Sequence, residues 1–224
     1  EPICFSSNNH NSVVFLNGKR YRGSIQFLPG SAGGVTAVNE LDLEEYLYGV
    51  LPKEMPADWP IEALKAQAVA ARTYAVYNMG KWEKCGFDVS ADNSDQCYGG
   101  YDVENAVTNA AVDETRGKIL LYEDEPIIAF YHSDSGGITE DNYDVYGKDI
   151  PYLKPVKDEF GYKSPYAYWI VSFSPNEIES KLGDLRNSVG EVTKIYIDEK
   201  SSSDRVKKAV IEGTRGKVTV TGLQ

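Results

Sequence analysis

Positive charge is what this chain lacks first. Its 224 residues carry 23 lysines and arginines against 34 aspartates and glutamates, a formal net charge of −11. Phosphate backbones demand a basic surface, so nucleic acid is excluded as a partner class. Broad electrostatic docking to anionic membranes or polyanions is disfavoured for the same reason, leaving room only for a local basic patch. No apolar run is long enough to span a bilayer, and no leader pattern opens at Glu1, so the chain reads as a mature or trimmed fragment. Histidine is nearly absent: His10 and His132 are the only two, and they lie far apart, which leaves little for metal chemistry. The three cysteines, Cys4, Cys85 and Cys97, form no Cys-x-x-Cys or Cys/His cluster, so a structural zinc site is not expected. Cys85 and Cys97 flank a polar loop, and their spacing leaves pairing in an exported protein and free thiols equally open.

What the chain does have is concentrated between Leu41 and Gly80. Asp42 followed by Glu45 resembles a capping box, and Leu43, Tyr46, Leu47 and Val50 recur at helical spacing. Pro52, without an N–H, is expected to end this first helix. A second helix is expected from Asp58 as cap and Pro60 in the first turn, with Ile61, Leu64, Ala68, Ala71 and Ala75 on one face and Gly80 as the stop. Its middle, Ala66 to Thr73, is almost entirely small residues, as in a helix buried on most sides. Gln67 and Arg72 stand out there, because a buried guanidinium needs an acceptor. Glu54 lies just upstream between Pro52 and Pro56, two residues that restrict chain freedom. On this stretch alone, the commoner reading is a solvated Glu54 and a structural Arg72.

Short antiparallel strands are expected on either side of Asn17-Gly18 (Val13–Leu16 and Lys19–Arg22), then at Ser24–Leu28 and Val35–Asn39. Residues 81–101 form a long polar loop in which Asp95, Gln96, Tyr98, Gly99 and Gly100 cluster. A third helix is expected over Glu104–Thr115, stopped by Gly117. Strands at Lys118–Tyr122 and Ile127–Ser133 follow, the second running into His132, Ser133 and Ser135. A serine–histidine hydrolase is discounted, because adjacent strand residues face opposite ways and no Gly-x-Ser-x-Gly elbow is present. A strand at Tyr166–Phe173, a helix from Ser174-Pro175 to Gly183, and strands at Glu191–Asp198, Val206–Glu212 and Val218–Val220 complete the expectation. The predicted fold is α+β, a single domain over 1–224 with antiparallel strands around a buried helix and a substrate groove at Glu54.

LEEYLYGVLPKEMPADWPIEALKAQAVAARTYA, then DQCYGG, ETRGKILLYEDEPIIAFYHSDSGGITE and YGKDIPYLKPVKDE together resemble the SpoIID/LytB family, strongly from Tyr21 to Asp158. Several motifs in register make the likeness specific. The resemblance implies an exported protein of the bacterial cell envelope or its exterior, with a membrane anchor before trimming as one option. Its implied action is on peptidoglycan, with no cofactor. Sporulation members are lytic transglycosylases that cut glycan strands, preferably stripped of stem peptides, and the catalytic acid of their matching motif falls on Glu54. That implication reverses the reading made from the stretch alone. Such an acid must be neutral when sugar binds; Leu51, Met55, the prolines and Trp59 would favour this, and Lys53 or Arg72 nearby would oppose it. Gln67 and Arg72 are candidates to anchor Glu54 or to bond substrate, Asp95, Gln96 and Tyr98 to line one wall of the groove, and His132, Ser133 and Ser135 the other, with a purely structural role the equal alternative for each. Some family members hold zinc with His and Cys near the strand-end motif; here HSDSGGITE has no cysteine, so no metal is expected. The competing implication is a non-catalytic wall-binding module that enhances a partner amidase, as LytB-type relatives do.

Overall fold

Every helix and strand below belongs to a computed structural model that describes residues 3–6, 13–30 and 33–222. His10 lies outside the described residues. The chain divides into two compact units, residues 1–131 and 132–224.

In the first unit, β1 (Ile3–Ser6), β4 (Ser24–Pro29) and β5 (Val35–Glu40) form an antiparallel sheet in the order β1-β4-β5. β2 (Val14–Leu16) and β3 (Lys19–Tyr21) make a separate hairpin. Its turn is Asn17-Gly18, with φ of 51° and 77°, the doubly left-handed backbone that makes Asn-Gly a hairpin signal. Asp42 then caps α1 (Leu43–Glu54), its side chain accepting from the Glu44 N–H at 2.9 Å.

Pro52 does not end α1. The helix runs through it to Glu54, and the Met55 N–H still reaches the Leu51 carbonyl at 3.0 Å. Pro52 forfeits one ladder bond, but Val50 and Leu51 are fully buried and hold the turn in place. The restriction imposed by proline on its predecessor acts one turn later. Met55, before Pro56, adopts φ −142° and ψ 132°. Glu54 is therefore the last residue of a helix, not part of a loop. α2 (Ile61–Tyr77) is capped at Pro60 without any side-chain bond, so Asp58 is not its cap. α3 (Ala106–Glu114) starts from Asn105, whose side chain caps Val107.

The three helices share one core: Tyr46, Leu47, Val50 and Leu51 of α1, Leu64, Ala68, Ala71 and Ala75 of α2, and Ala111 and Val112 of α3. The alanines of α2 let both neighbours approach closely. Through the middle runs Arg72, 1% exposed. Its Nε and Nη2 meet both oxygens of Glu44 at 2.9 and 2.6 Å. Its remaining donors reach the carbonyls of Val112 and Lys118, both at 3.1 Å, and the Thr115 hydroxyl at 3.5 Å. Glu44 also accepts from the Gly117 N–H at 3.0 Å. One guanidinium thus ties α1, α2 and the end of α3 together.

β6 (Leu121–Tyr122) and β7 (Glu125–Pro126) form a two-residue hairpin. The strand expected over Ile127–Ser133 does not form. Ile127 still bonds to the Leu120 carbonyl, but the Phe130 N–H turns back to the Ile128 carbonyl at 3.0 Å, which breaks any ladder.

The second unit contains α4 (Asn142–Tyr146), α5 (Pro175–Lys181), α6 (Arg186–Val189) and an antiparallel sheet of β8 (Val192–Lys200), β9 (Val206–Gly213) and β10 (Lys217–Thr221), in the order β10-β9-β8. Ser174 and Glu177 close a full capping box on α5. Tyr166–Phe173, rich in β-favouring residues, is not a strand. Propensity needs a partner strand, and here the Ala167 N–H instead closes a turn onto the Ser164 carbonyl.

Removing one half of the buried pair leaves the other charge enclosed and unpaired. Arg72→Met or Glu44→Leu alone is expected to cost about 3–5 kcal/mol in urea-denaturation experiments, and the double variant clearly less than the sum. Additive losses would show that the two side chains act independently.

Candidate active site

Glu54 closes α1, partly exposed, where the helix meets the segment 95–98. Its Oε1 accepts from the backbone N–H of Cys97 at 2.8 Å. Tyr131 lies against the same carboxyl, close enough to feel its charge and hydrogen-bond with it. Burial first, and then the Glu54 carboxylate, push the Tyr131 hydroxyl above the ordinary phenol range, so it stays protonated. Arg72 and Lys81 are paired elsewhere, with Glu44 and Asp95 respectively.

Segment 95–98 is held along α2. The Tyr74 hydroxyl donates to Asp95 Oδ1 at 3.0 Å, and Gln96 Nε2 donates to the Ala71 carbonyl at 3.2 Å. Next on the same face of α2, by helical spacing, comes Gln67. Its Nε2 is buried and has no hydrogen-bond partner among the described residues. Gln96 itself is 0% exposed and also bonds the hydroxyls of Tyr46, at 3.2 Å, and Tyr131, at 3.1 Å. On the other side of α1, Gly49 is required: a Cβ there would sit 2.4 Å from the Tyr98 ring. The Gly49 carbonyl accepts from the Gly99 N–H at 3.0 Å, seating the glycine pair directly on the helix.

Several residues expected to meet sugar are instead consumed by protein. Arg72 has an acceptor for each of its donors and no free surface. Gln96 is enclosed, and acts by fixing its neighbours. The Asp95 side chain has no exposed area; its oxygens hold the Tyr74 hydroxyl, the Lys81 ammonium, the Trp82 indole N–H at 2.7 Å and the Ser90 N–H at 2.7 Å. These donors order the 81–98 loop around one carboxylate. The Tyr98 hydroxyl donates to Asn39 Oδ1 at 2.8 Å, and its ring packs on Tyr46 with centroids 5.2 Å apart. His132, Ser133 and Ser135 belong to the second unit. There His132 and Ser133 are exposed. Ser135 is buried, donating to Asp158 Oδ2 at 2.6 Å and accepting from the Gly137 N–H. Its hydroxyl is thereby committed to a turn. Cys85 and Cys97 are free thiols. Among the described residues, no three His, Cys, Asp or Glu side chains converge as a metal site.

Tyr131 is the neighbour of Glu54 that the sequence did not flag. It is one of 16 tyrosines, so composition hides it.

The stage II sporulation protein family model, SpoIID, matches residues 31–122, which carry α1, α2, α3, Glu54 and Cys97. The chain belongs to the SpoIID family. An amidase enhancer of Bacillus subtilis (strain 168) is 41% identical over 186 residues, 83% of this chain and 24% of the relative. Stage II sporulation protein D of the same organism is 34% identical over 195 residues, 79% of this chain and 55% of the relative. An uncharacterized protein of Brachyspira hyodysenteriae is 37% identical over 198 residues, 88% of this chain and 53% of that protein. The chain thus spans about half the length of two of these relatives and a quarter of the third.

Asp95 gives the site its pH signature. Burial alone would raise this carboxyl, but Lys81, Ser90, Trp82 and Tyr74 outweigh it and hold it at about 2, against 3.8 unperturbed. A depressed carboxylate stabilises the fold above its unfolded value, and that contribution is lost as pH falls through the folded one. Between about pH 4 and pH 2 the protein is expected to lose about 2 kcal/mol through this group. In Asp95→Asn, urea-derived stability should be lower at pH 6 and flatter over that interval. An unchanged slope would show that Asp95 is not the titrating group.

Proposed function

We propose that this SpoIID protein is an exported peptidoglycan lytic transglycosylase in which Glu54 is the general acid and then the base. The observation that carries the reading is a lone available carboxylate, fixed at the end of a buried helix by a backbone N–H. A glycoside hydrolase normally needs two carboxylates, the second to activate water or attack the sugar. Asp95, the carboxylate held along α2 beside this site, is enclosed by four donors and is not available for that work.

In the proposed reaction, the Glu54 carboxylic acid gives its proton to the glycosidic oxygen between N-acetylmuramic acid and N-acetylglucosamine. The C1–O bond breaks, the N-acetylglucosamine hydroxyl leaves, and oxocarbenium character develops at C1 of the muramic acid. The Glu54 carboxylate then takes the proton of the C6 hydroxyl as O6 bonds to C1, closing a 1,6-anhydro ring and restoring the acid. No water is consumed. The partly exposed Glu54, against the closed-off Arg72 and Asp95, is the one acidic group of this cluster placed to meet a strand.

The 41% identity to an amidase enhancer favours a second reading, a wall-binding module that raises the activity of a cell-wall amidase. The two readings part on Glu54. With purified peptide-free glycan strands, native protein is expected to release fragments ending in 1,6-anhydro-muramic acid, and Glu54→Gln to lower that release by at least about 1,000-fold. Strand binding without cleavage, together with an amidase stimulation that survives Glu54→Gln, would favour the enhancer.

A further inference from the structure

We propose that Tyr131 is a positioning residue for Glu54, set as a one-way hydrogen-bond donor by Gln96. The inference rests on the reading of Glu54 as acid and base, and it concerns a residue outside the matched stretch 31–122.

The argument is one of hydrogen-bond polarity. A backbone carbonyl can only accept, so the Ala71 carbonyl, 3.2 Å from the Gln96 amide, must face its nitrogen. That choice fixes the whole side chain. The second Nε2 hydrogen then points to the Tyr131 oxygen at 3.1 Å, and Gln96 Oε1 faces the Tyr46 hydroxyl at 3.2 Å, which donates to it. With Gln96 buried and all three contacts made, neither the amide nor the network can invert. Tyr131 therefore accepts from Gln96, and its own proton is left for the Glu54 carboxyl beside it.

Glu54 is thus gripped by two donors, the Cys97 N–H at Oε1 and the Tyr131 O–H. Together they restrict rotation of the carboxyl. They also stand ready for the negative charge that appears on Glu54 when it gives up its proton, with no reorganisation needed at that moment. Tyr46 and Gln96 have no contact with substrate in this scheme and act only through Tyr131.

Tyr131→Phe removes one oxygen and keeps the ring that packs on Tyr74, whose centroid is 6.4 Å away. On peptide-free glycan strands, kcat is expected to fall about 100-fold with KM within about twofold. A readout independent of cleavage separates this proposal from the reaction itself. In protein labelled with 13C at glutamate carboxyls, the resonance identified by its loss in Glu54→Gln should be displaced in Tyr131→Phe relative to native protein. A third check is the 13Cζ resonance of Tyr131, which should be displaced in Glu54→Gln relative to native protein. An unmoved Glu54 resonance in Tyr131→Phe, or an unmoved Tyr131 resonance in Glu54→Gln, overturns the proposal whether or not strands are cut. Displaced resonances in a protein that cuts nothing uphold the contact and refute the transglycosylase reading instead.

Discussion

The ion pair between Arg72 and Glu44 is the constraint on which the first unit depends. A guanidinium this deeply enclosed is tolerable only because every donor finds an acceptor. Those acceptors come from α1, from the end of α3 and from the chain just beyond it. The pair therefore sets the relative placement of three helices, and apolar packing alone would leave that placement looser. Because α1 is fixed near its start by Glu44, its far end, Glu54, is delivered to a defined spot nearly three turns along. The helix runs through Pro52 and keeps Glu54 inside regular structure, where a catalytic side chain is held more narrowly than on a loop.

From that point the chemistry is one of scarcity. The cluster around Glu54 is rich in polar groups, yet nearly all of them are occupied by one another. Asp95 gathers four donors and orders the long loop before it. Gln96 spends its whole amide on a carbonyl and two phenols. What is left partly exposed is one carboxyl, with one buried amide nitrogen, on Gln67, lacking a partner among the described residues. A site of that kind suits a reaction in which the substrate supplies its own nucleophile. An intramolecular hydroxyl already attached to the reacting sugar needs no second carboxylate to activate it and gains from its proximity.

The sequence displayed much of this and concealed the rest for identifiable reasons. The α+β class, the Asn17-Gly18 hairpin, the caps at Asp42 and Ser174, and the apolar faces of α1 and α2 all follow from local rules, and local rules are written in short stretches. Proline at 52 misled because its cost is set by what surrounds it; fully buried neighbours outweighed one missing bond. Ile127–Ser133 and Tyr166–Phe173 have strand-like composition, but a strand exists only where another edge accepts it. Arg72 and Asp95 were conspicuous as polar residues in suspicious places. Their partners, Glu44 at 28 positions' distance and Tyr74 at 21, are a tertiary fact. Tyr131 was hidden most completely, since its role depends on which way a glutamine amide faces.

The central claim is that no water enters the bond-breaking step. Digestion of peptide-free glycan strands in water enriched in oxygen-18 tests it directly. The account predicts new muramic acid ends that carry no label and are lighter by one water than reducing ends. Label at the anomeric carbon of new reducing ends would contradict it, and would require a second catalytic group that activates water beside Glu54.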